Sequence, residues 1–133
     1  MEPSLKPEIA LSNVDPEVKS YIYQSIVEFE PFITKQTVIS VLARDPLRLV
    51  YQLEADGVSY DRKELKKMNR ISISLTEDGN KLEEEGVHLD IFEAIKIAKN
   101  RLLKTLTEIQ DSVVSNQDRA IQINTVRQNG SVH

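Results

Sequence analysis

The 133-residue chain predicts an α+β fold in the order β-α-β-β-β-α, a four-stranded mixed sheet with two helices packed on one face. Three observations in its second half carry this reading. Ile71, Ile73 and Leu75 alternate with Ser72 and Ser74, which is the period of a half-buried strand. Thr76-Glu77-Asp78-Gly79 supplies a turn, with Gly79 free to take positive φ, and the chain returns through Lys81-Leu-Glu-Glu-Glu-Gly86. After Gly86 the period becomes helical. Ile91, Ala94, Ile95, Ala98, Leu102, Leu106 and Ile109 form one apolar stripe, and Lys96, Lys99, Arg101 and Lys104 occupy the opposite face.

The first half supplies the remaining elements. Lys6 to Val14 reads as a strand around Ile9 and Leu11. Asp15-Pro16-Glu17 is a helix start, with an Asx N-cap, proline at the first helical position and an acid in the first turn. Val18, Ile22, Ile26 and Phe29 then share a face. Pro31 lacks an amide donor, so the helix is expected to end near Glu30. Thr37 to Ala43 is rich in β-branched residues and reads as the second strand.

Between the second and third strands lies an insertion, residues 45–69. It is about 25 residues long, more than a typical hairpin loop. Arg48 to Glu54 is expected to extend the sheet, followed by a turn at Ala55-Asp-Gly57; Tyr60 to Arg70 is expected to be a short basic helix or an exposed loop. If that segment is helical, Arg62, Lys63, Lys66, Lys67 and Arg70 share one face. The insertion either adds RNA contacts or covers a sheet edge. Residues 1–110 thus make one domain. Residues 111–133 form a polar tail, expected to be partly mobile, in which Val113-Val114, Ile121 and Ile123 add at most a short helical turn or pack on a neighbour.

Composition narrows the function. One domain of this length buries about two-thirds of its unfolded surface, and with few aromatics the core rests on Ile, Leu and Val. The chain has no cysteine, which excludes disulfides, thiol catalysis and Cys-based metal sites and fits a reducing cytosol. No apolar run is long enough to span a bilayer and no leader is evident, so a cytoplasmic protein with no membrane partner is expected. The net charge of −4 argues against indiscriminate nucleic-acid binding, and no DNA partner is expected. A local basic patch can still bind structured RNA through its own field.

No catalytic constellation is visible, and an enzyme is not expected. His88 and His133 are the two histidines; His88, close to Asp90, belongs to the hydrogen bonding of the helix start. Glu83, Glu84 and Glu85 alternate faces on a strand and cannot form one metal cage. No glycine-rich phosphate loop occurs, and neither metal nor cofactor is implied. The four tyrosines are dispersed; Tyr60, beside the basic run, is the best candidate for base stacking.

The run from Gly86 through Asp90-Ile-Phe-Glu-Ala-Ile95 to Arg101-Leu102 and Lys104-Thr-Leu106 resembles the last helix of the ribosome hibernation-promoting factor and ribosome-associated translation inhibitor family. The hairpin ending Lys81 to Gly86 is similar to that family's, as is the spacing of Val18, Tyr21-Ile22, Ile26, Phe29 and Phe32. The likeness covers about residues 7 to 110. It implies the β-α-β-β-β-α fold and docking in the mRNA and tRNA channel of the small ribosomal subunit, with translation inactivated by occlusion. With such docking, the basic face of the last helix, Lys96, Lys99, Arg101 and Lys104, is expected to contact rRNA phosphates, and Arg62, Lys63, Lys66, Lys67 and Arg70 in and beside the insertion are expected additions from this chain's own sequence. The likeness also implies a short form, monomeric in solution, that pairs ribosomes only with another factor. The chain departs from the family in its insertion and in its first helix, where Gln24, Ser25, Glu28 and Glu30 stand in place of basic residues and offer little to phosphate. The competing reading is a protein-interaction module using the acidic first helix or the insertion.

Overall fold

Strand β1 (Glu8–Ala10) runs parallel to β2 (Val38–Arg44), while β3 (Asn69–Glu77) and β4 (Asn80–His88) follow antiparallel, in the order β1-β2-β3-β4. A parallel pair needs a crossover rather than a tight turn, and helix α1 (Pro16–Ile26) supplies it. These elements come from a computed structural model that describes residues 6–11 and 15–131, with side chains as far as Val113. The expected strand residues Ser12 to Val14 therefore lie outside the described residues. The chain divides into two units, Met1–Leu103 and Lys104–His133. The first holds the sheet; the second is the continuation of helix α4 (Ile91–Ser131).

The hairpin forms as its sequence predicts. Asp78 and Gly79 have φ of 52° and 79°, positive at both central positions as a type I′ turn requires, and Glu77 pairs with Asn80 to close it. Helix α1 starts at Pro16 with Asp15 as N-cap, but the Asp15 side chain makes no capping bond; only its backbone carbonyl is used, accepting from the Lys19 amide at 3.0 Å. The α-helix stops at Ile26, and Val27–Phe32 continues as a 3₁₀ segment that includes Pro31. Val18, Ile22, Ile26 and Phe29 are all buried, as their spacing requires.

On one face of the sheet Ile39, Val41, Ile71, Ile73 and Leu75 enter the core with Ala94, Ile95, Ala98 and Leu102 of α4. Gly86 fixes how close the helix comes. A Cβ there would lie 2.0 Å from the Ala94 carbonyl oxygen and 2.8 Å from the Ala98 amide nitrogen. Helix backbone rests on strand backbone, a contact that only glycine permits. A T-shaped contact between Tyr21 and Phe92, centroids 5.4 Å apart, ties α1 to α4.

Four expectations are corrected. The segment Arg48 to Glu54 does not extend the sheet: Pro46–Leu49 is a 3₁₀ turn capped by the Asp45 side chain, and Val50–Ala55 is helix α2. Short apolar runs fit helix and strand alike, and here proline at the first helical position favours the helix. The turn at Gly57 is present, with φ 69°. Ser72 and Ser74 are buried although they face away from the helices, so β3 is covered on both sides. Ile109, at the far end of the apolar stripe, is 45% exposed. Beyond it α4 runs on to Ser131, well past the single turn expected; the side chains of Val114, Ile121 and Ile123 are not among those described.

Replacing Gly86 by alanine drives a methyl group into backbone that has no flexible end to yield. The expected cost is at least ~3 kcal/mol, seen as a fall in melting temperature of at least ~10 °C. A Gly86→Ala protein that melts with the wild type would contradict this packing.

Candidate nucleic-acid interface

Helix α4 begins with a local network. The His88 Nδ1 accepts from the Asp90 amide at 2.9 Å, and Asp90 Oδ1 accepts from the Phe92 amide at 2.9 Å. His88 thus sits in the helix-start bonding its position suggested. The four basic residues that follow do not form one free face. Residues 99 and 101 stand about 200° apart around the helix axis, so they flank the stripe on opposite sides. Lys99 keeps only 13% of its side chain exposed and pairs with Glu28 at 2.5 Å. Arg101 donates to the Glu85 carbonyl at 3.0 Å, on the free edge of β4. Lys96 and Lys104 are exposed; beside Lys96 stand the equally exposed Glu93 and Asn100.

The insertion carries a second basic cluster. Asp61 caps helix α3 (Arg62–Lys67) by accepting from the Lys63 amide at 2.9 Å, and Leu65 is its buried anchor. Arg62, Lys63, Lys66 and Lys67 are all exposed; Lys67 lies 3.4 Å from Glu64. Arg70 does not join them. Met68 turns extended and ends the helix, and Arg70 falls in β3 instead. Tyr60 is half-buried and donates to Glu54 at 2.5 Å, which raises the pKa of its hydroxyl.

The face of the sheet turned away from α1 and α4, bordered by Leu49 and Gln52 of the insertion, holds a constellation that the sequence did not reveal. The register sets Arg44 opposite Arg70, Ser72 opposite Glu85 and Ser74 opposite Glu83. Arg70 grips Glu85 in a two-pronged contact, Nε–Oε2 at 2.5 Å and a terminal nitrogen to Oε1 at 3.0 Å, and donates to the Asp45 carbonyl at 3.1 Å. It therefore pins the start of the insertion to the sheet. Arg44 meets Glu83 at 2.7 Å, and Lys81 approaches the same Glu83 oxygen at 3.4 Å. Burial pushes the Glu83 carboxyl up, but the neighbouring Ser72 hydroxyl and the charges of Arg44 and Lys81 outweigh it and hold the carboxyl at about 2. The Ser72 Oγ, though near enough to bias Glu83, completes no well-formed hydrogen bond, and neither does the Arg44 Nε. Glu83 and Glu85 alternating with Glu84 was the available sequence signal; which arginines face them depends on register.

Among the described residues no group of three or more His, Asp or Glu side chains could hold a metal ion, and no helix is long and apolar enough to cross a membrane. What this surface offers is charge: cationic side chains on α3 and α4, and a cross-linked arginine–carboxylate array on the open sheet.

The fold has a counterpart among solved structures. The chain is similar to a ribosomal subunit interface protein from Coxiella burnetii, with a TM-score of 0.54 and 7% sequence identity, over 79% of this chain and 96% of that one. At that identity the likeness is one of fold. No family model matches the chain, and no curated protein sequence matches it.

The low pKa of Glu83 makes a prediction about acid. Its carboxyl is near 4.5 when unfolded and about 2 when folded, so its contribution is complete above about pH 4.5 and disappears as the pH falls towards 2. The side chains of the pair are 27% and 35% exposed, which reduces the contribution to about 1–2 kcal/mol. Chemical denaturation across this window should show the Glu83→Gln protein losing less stability than the wild type by that amount. Parallel losses would show that the carboxylate contributes nothing through its charge.

Proposed function

We propose that the protein binds ribosomes and inactivates translation by occupying the mRNA and tRNA channel of the small subunit. The observation that carries this reading is the fold shared with a ribosomal subunit interface protein along almost that protein's whole length. The order of motifs from Gly86 to Leu106 supports it independently, since that run resembles the hibernation-factor family at residues that pack α4 as well as at residues that face solvent. Two basic elements would meet the rRNA. Helix α3 supplies Arg62, Lys63, Lys66 and Lys67, and α4 supplies Lys96 and Lys104.

Lys99 and Arg101 have a different part in this reading. Each already holds a protein group, Lys99 the Glu28 carboxylate and Arg101 the Glu85 carbonyl, so each shapes the interface before it offers charge to phosphate. The burden on α3 is correspondingly larger than in the family's pattern, and it offsets the acidic first helix. Inactivation needs only steric occlusion and no catalytic group. The protein acts in the cytoplasm as a monomer.

A protein-interaction module is the second reading. It rests on a groove along α1 lined by Pro16, Lys19, Ser20, Tyr23, Gln24 and Val27, with Tyr23 and Val27 exposed and the acidic residues Glu28 and Glu30 following in the chain.

Phosphate contacts release counterions, so they can be counted by salt dependence. Charge reversal of Lys63, Lys66 and Lys67 together should reduce pelleting with purified small subunits at least ~100-fold and flatten the salt slope by about two to three units, with an unchanged circular dichroism spectrum. Reversal of Lys96 and Lys104 should weaken binding less. Full binding by both folded variants would move the interface elsewhere and favour the α1 groove.

A further inference from the structure

We infer that Arg44 and Arg48 form a latched binding site for RNA phosphodiesters where the insertion meets the face of the sheet turned away from α1 and α4, with Glu83 as the latch. The inference extends the proposed ribosome binding to a surface that neither basic helix includes. Arg44, Arg48 and Arg70 converge with Asp45, Glu83 and Glu85 on a cleft of about 490 Å³. The three arginines differ in how firmly they are held. Arg70 is fixed by the two-pronged Glu85 contact and the Asp45 carbonyl, and it forms the frame. Arg48 is exposed and makes no ion pair among the described residues. Arg44 is held less firmly: a terminal nitrogen meets Glu83 at 2.7 Å, while its enclosed Nε stands 3.9 Å from a Glu85 oxygen and completes no hydrogen bond.

A second observation points to an absent acceptor. The Ser72 hydroxyl, on a residue only 1% exposed, also lacks a well-formed hydrogen bond. The carboxylates thus leave the Arg44 Nε and the Ser72 hydroxyl beside them without well-formed hydrogen bonds, and a multi-oxygen anion in the cleft would offer the Arg44 guanidinium more acceptors than one carboxylate does. Glu83 can be released without being stranded, because Lys81 stands 3.4 Å from the oxygen that now holds Arg44. When a phosphodiester takes Arg44 and Arg48, Glu83 keeps Lys81 as its counter-ion. The exchange moves one side chain and leaves the Arg70–Glu85 frame in place.

The probe is a short fluorescent single-stranded RNA, titrated at several salt concentrations. Glu83→Gln should tighten binding about tenfold and steepen the salt slope by about one unit. Glu17→Gln, which changes the net charge equally at an exposed site on α1, should leave affinity within about twofold. Adding Arg44→Gln to Glu83→Gln should return affinity to the wild-type value. Equal gains from Glu83→Gln and Glu17→Gln, or a gain that survives Arg44→Gln, would overturn the site. If Glu83→Gln does not fold, the unaltered protein decides: the Arg44 side-chain Nε–H resonance should move on RNA titration, and an unmoved resonance at saturation would overturn the latch. Because the probe is free RNA, failure here leaves ribosome binding untouched. Conversely, a positive result with no ribosome pelleting would keep the phosphate site and remove the ribosome as its target.

Discussion

The contact between Gly86 and the backbone of α4 is the constraint on which the rest of the structure depends. A strand and a helix normally stand apart by the length of the side chains between them. Here the Ala94 carbonyl lies where a Cβ on residue 86 would be, so the two backbones touch. That approach puts Ala94 and Ala98, two small residues one turn apart, against the strand and sends Ile95 and Leu102 into the core. It also fixes the rotation of α4 about its own axis. The rotation decides how the cations are held: Lys96 is exposed, Lys99 is drawn back to Glu28 and largely covered, and Arg101 stays exposed while donating to the Glu85 carbonyl.

Charge is arranged on this scaffold in two ways. On α3 and on the outer side of α4 the cations are solvated and available to a partner. On the open face of the sheet, arginines and carboxylates neutralise one another across strands. The second arrangement has a structural use, since β3 is buried on both faces and Ser72 and Ser74 lie beneath the array. Arg70 also joins the insertion to the sheet through Asp45. An acidic protein can in this way keep its net negative charge and still present cationic patches, because the potential at a patch depends on the local field rather than the total.

The elements legible in the sequence were those governed by local rules. Asp78-Gly79 specified its turn by backbone freedom, Pro16 the start of α1, and His88 with Asp90 the start of α4. The apolar periods of α1 and α4 named their buried residues as far as Leu106. Two kinds of feature were not legible. Leu49, Val50 and Leu53 are apolar at a spacing that fits a strand or a short helix, and Asp45-Pro46 decided for the helix only through capping geometry. The array of Arg44, Arg70, Glu83 and Glu85 depends on which residues lie opposite across three strands, and a shift of one position would turn every one of them to the other face. Lys99 was misplaced for a similar reason. It was read on the face opposite the stripe, whereas it lies on the flank, and its pairing required knowing that Glu28, far away in sequence, stood within reach.

Cryo-electron microscopy of the protein with purified small ribosomal subunits at low salt tests the functional account most directly. Density for the sheet domain is expected in the mRNA and tRNA channel, with α3 and the outer side of α4 against rRNA. Density at a site that leaves the channel open, or contact made through the α1 groove to a ribosomal protein, would contradict it.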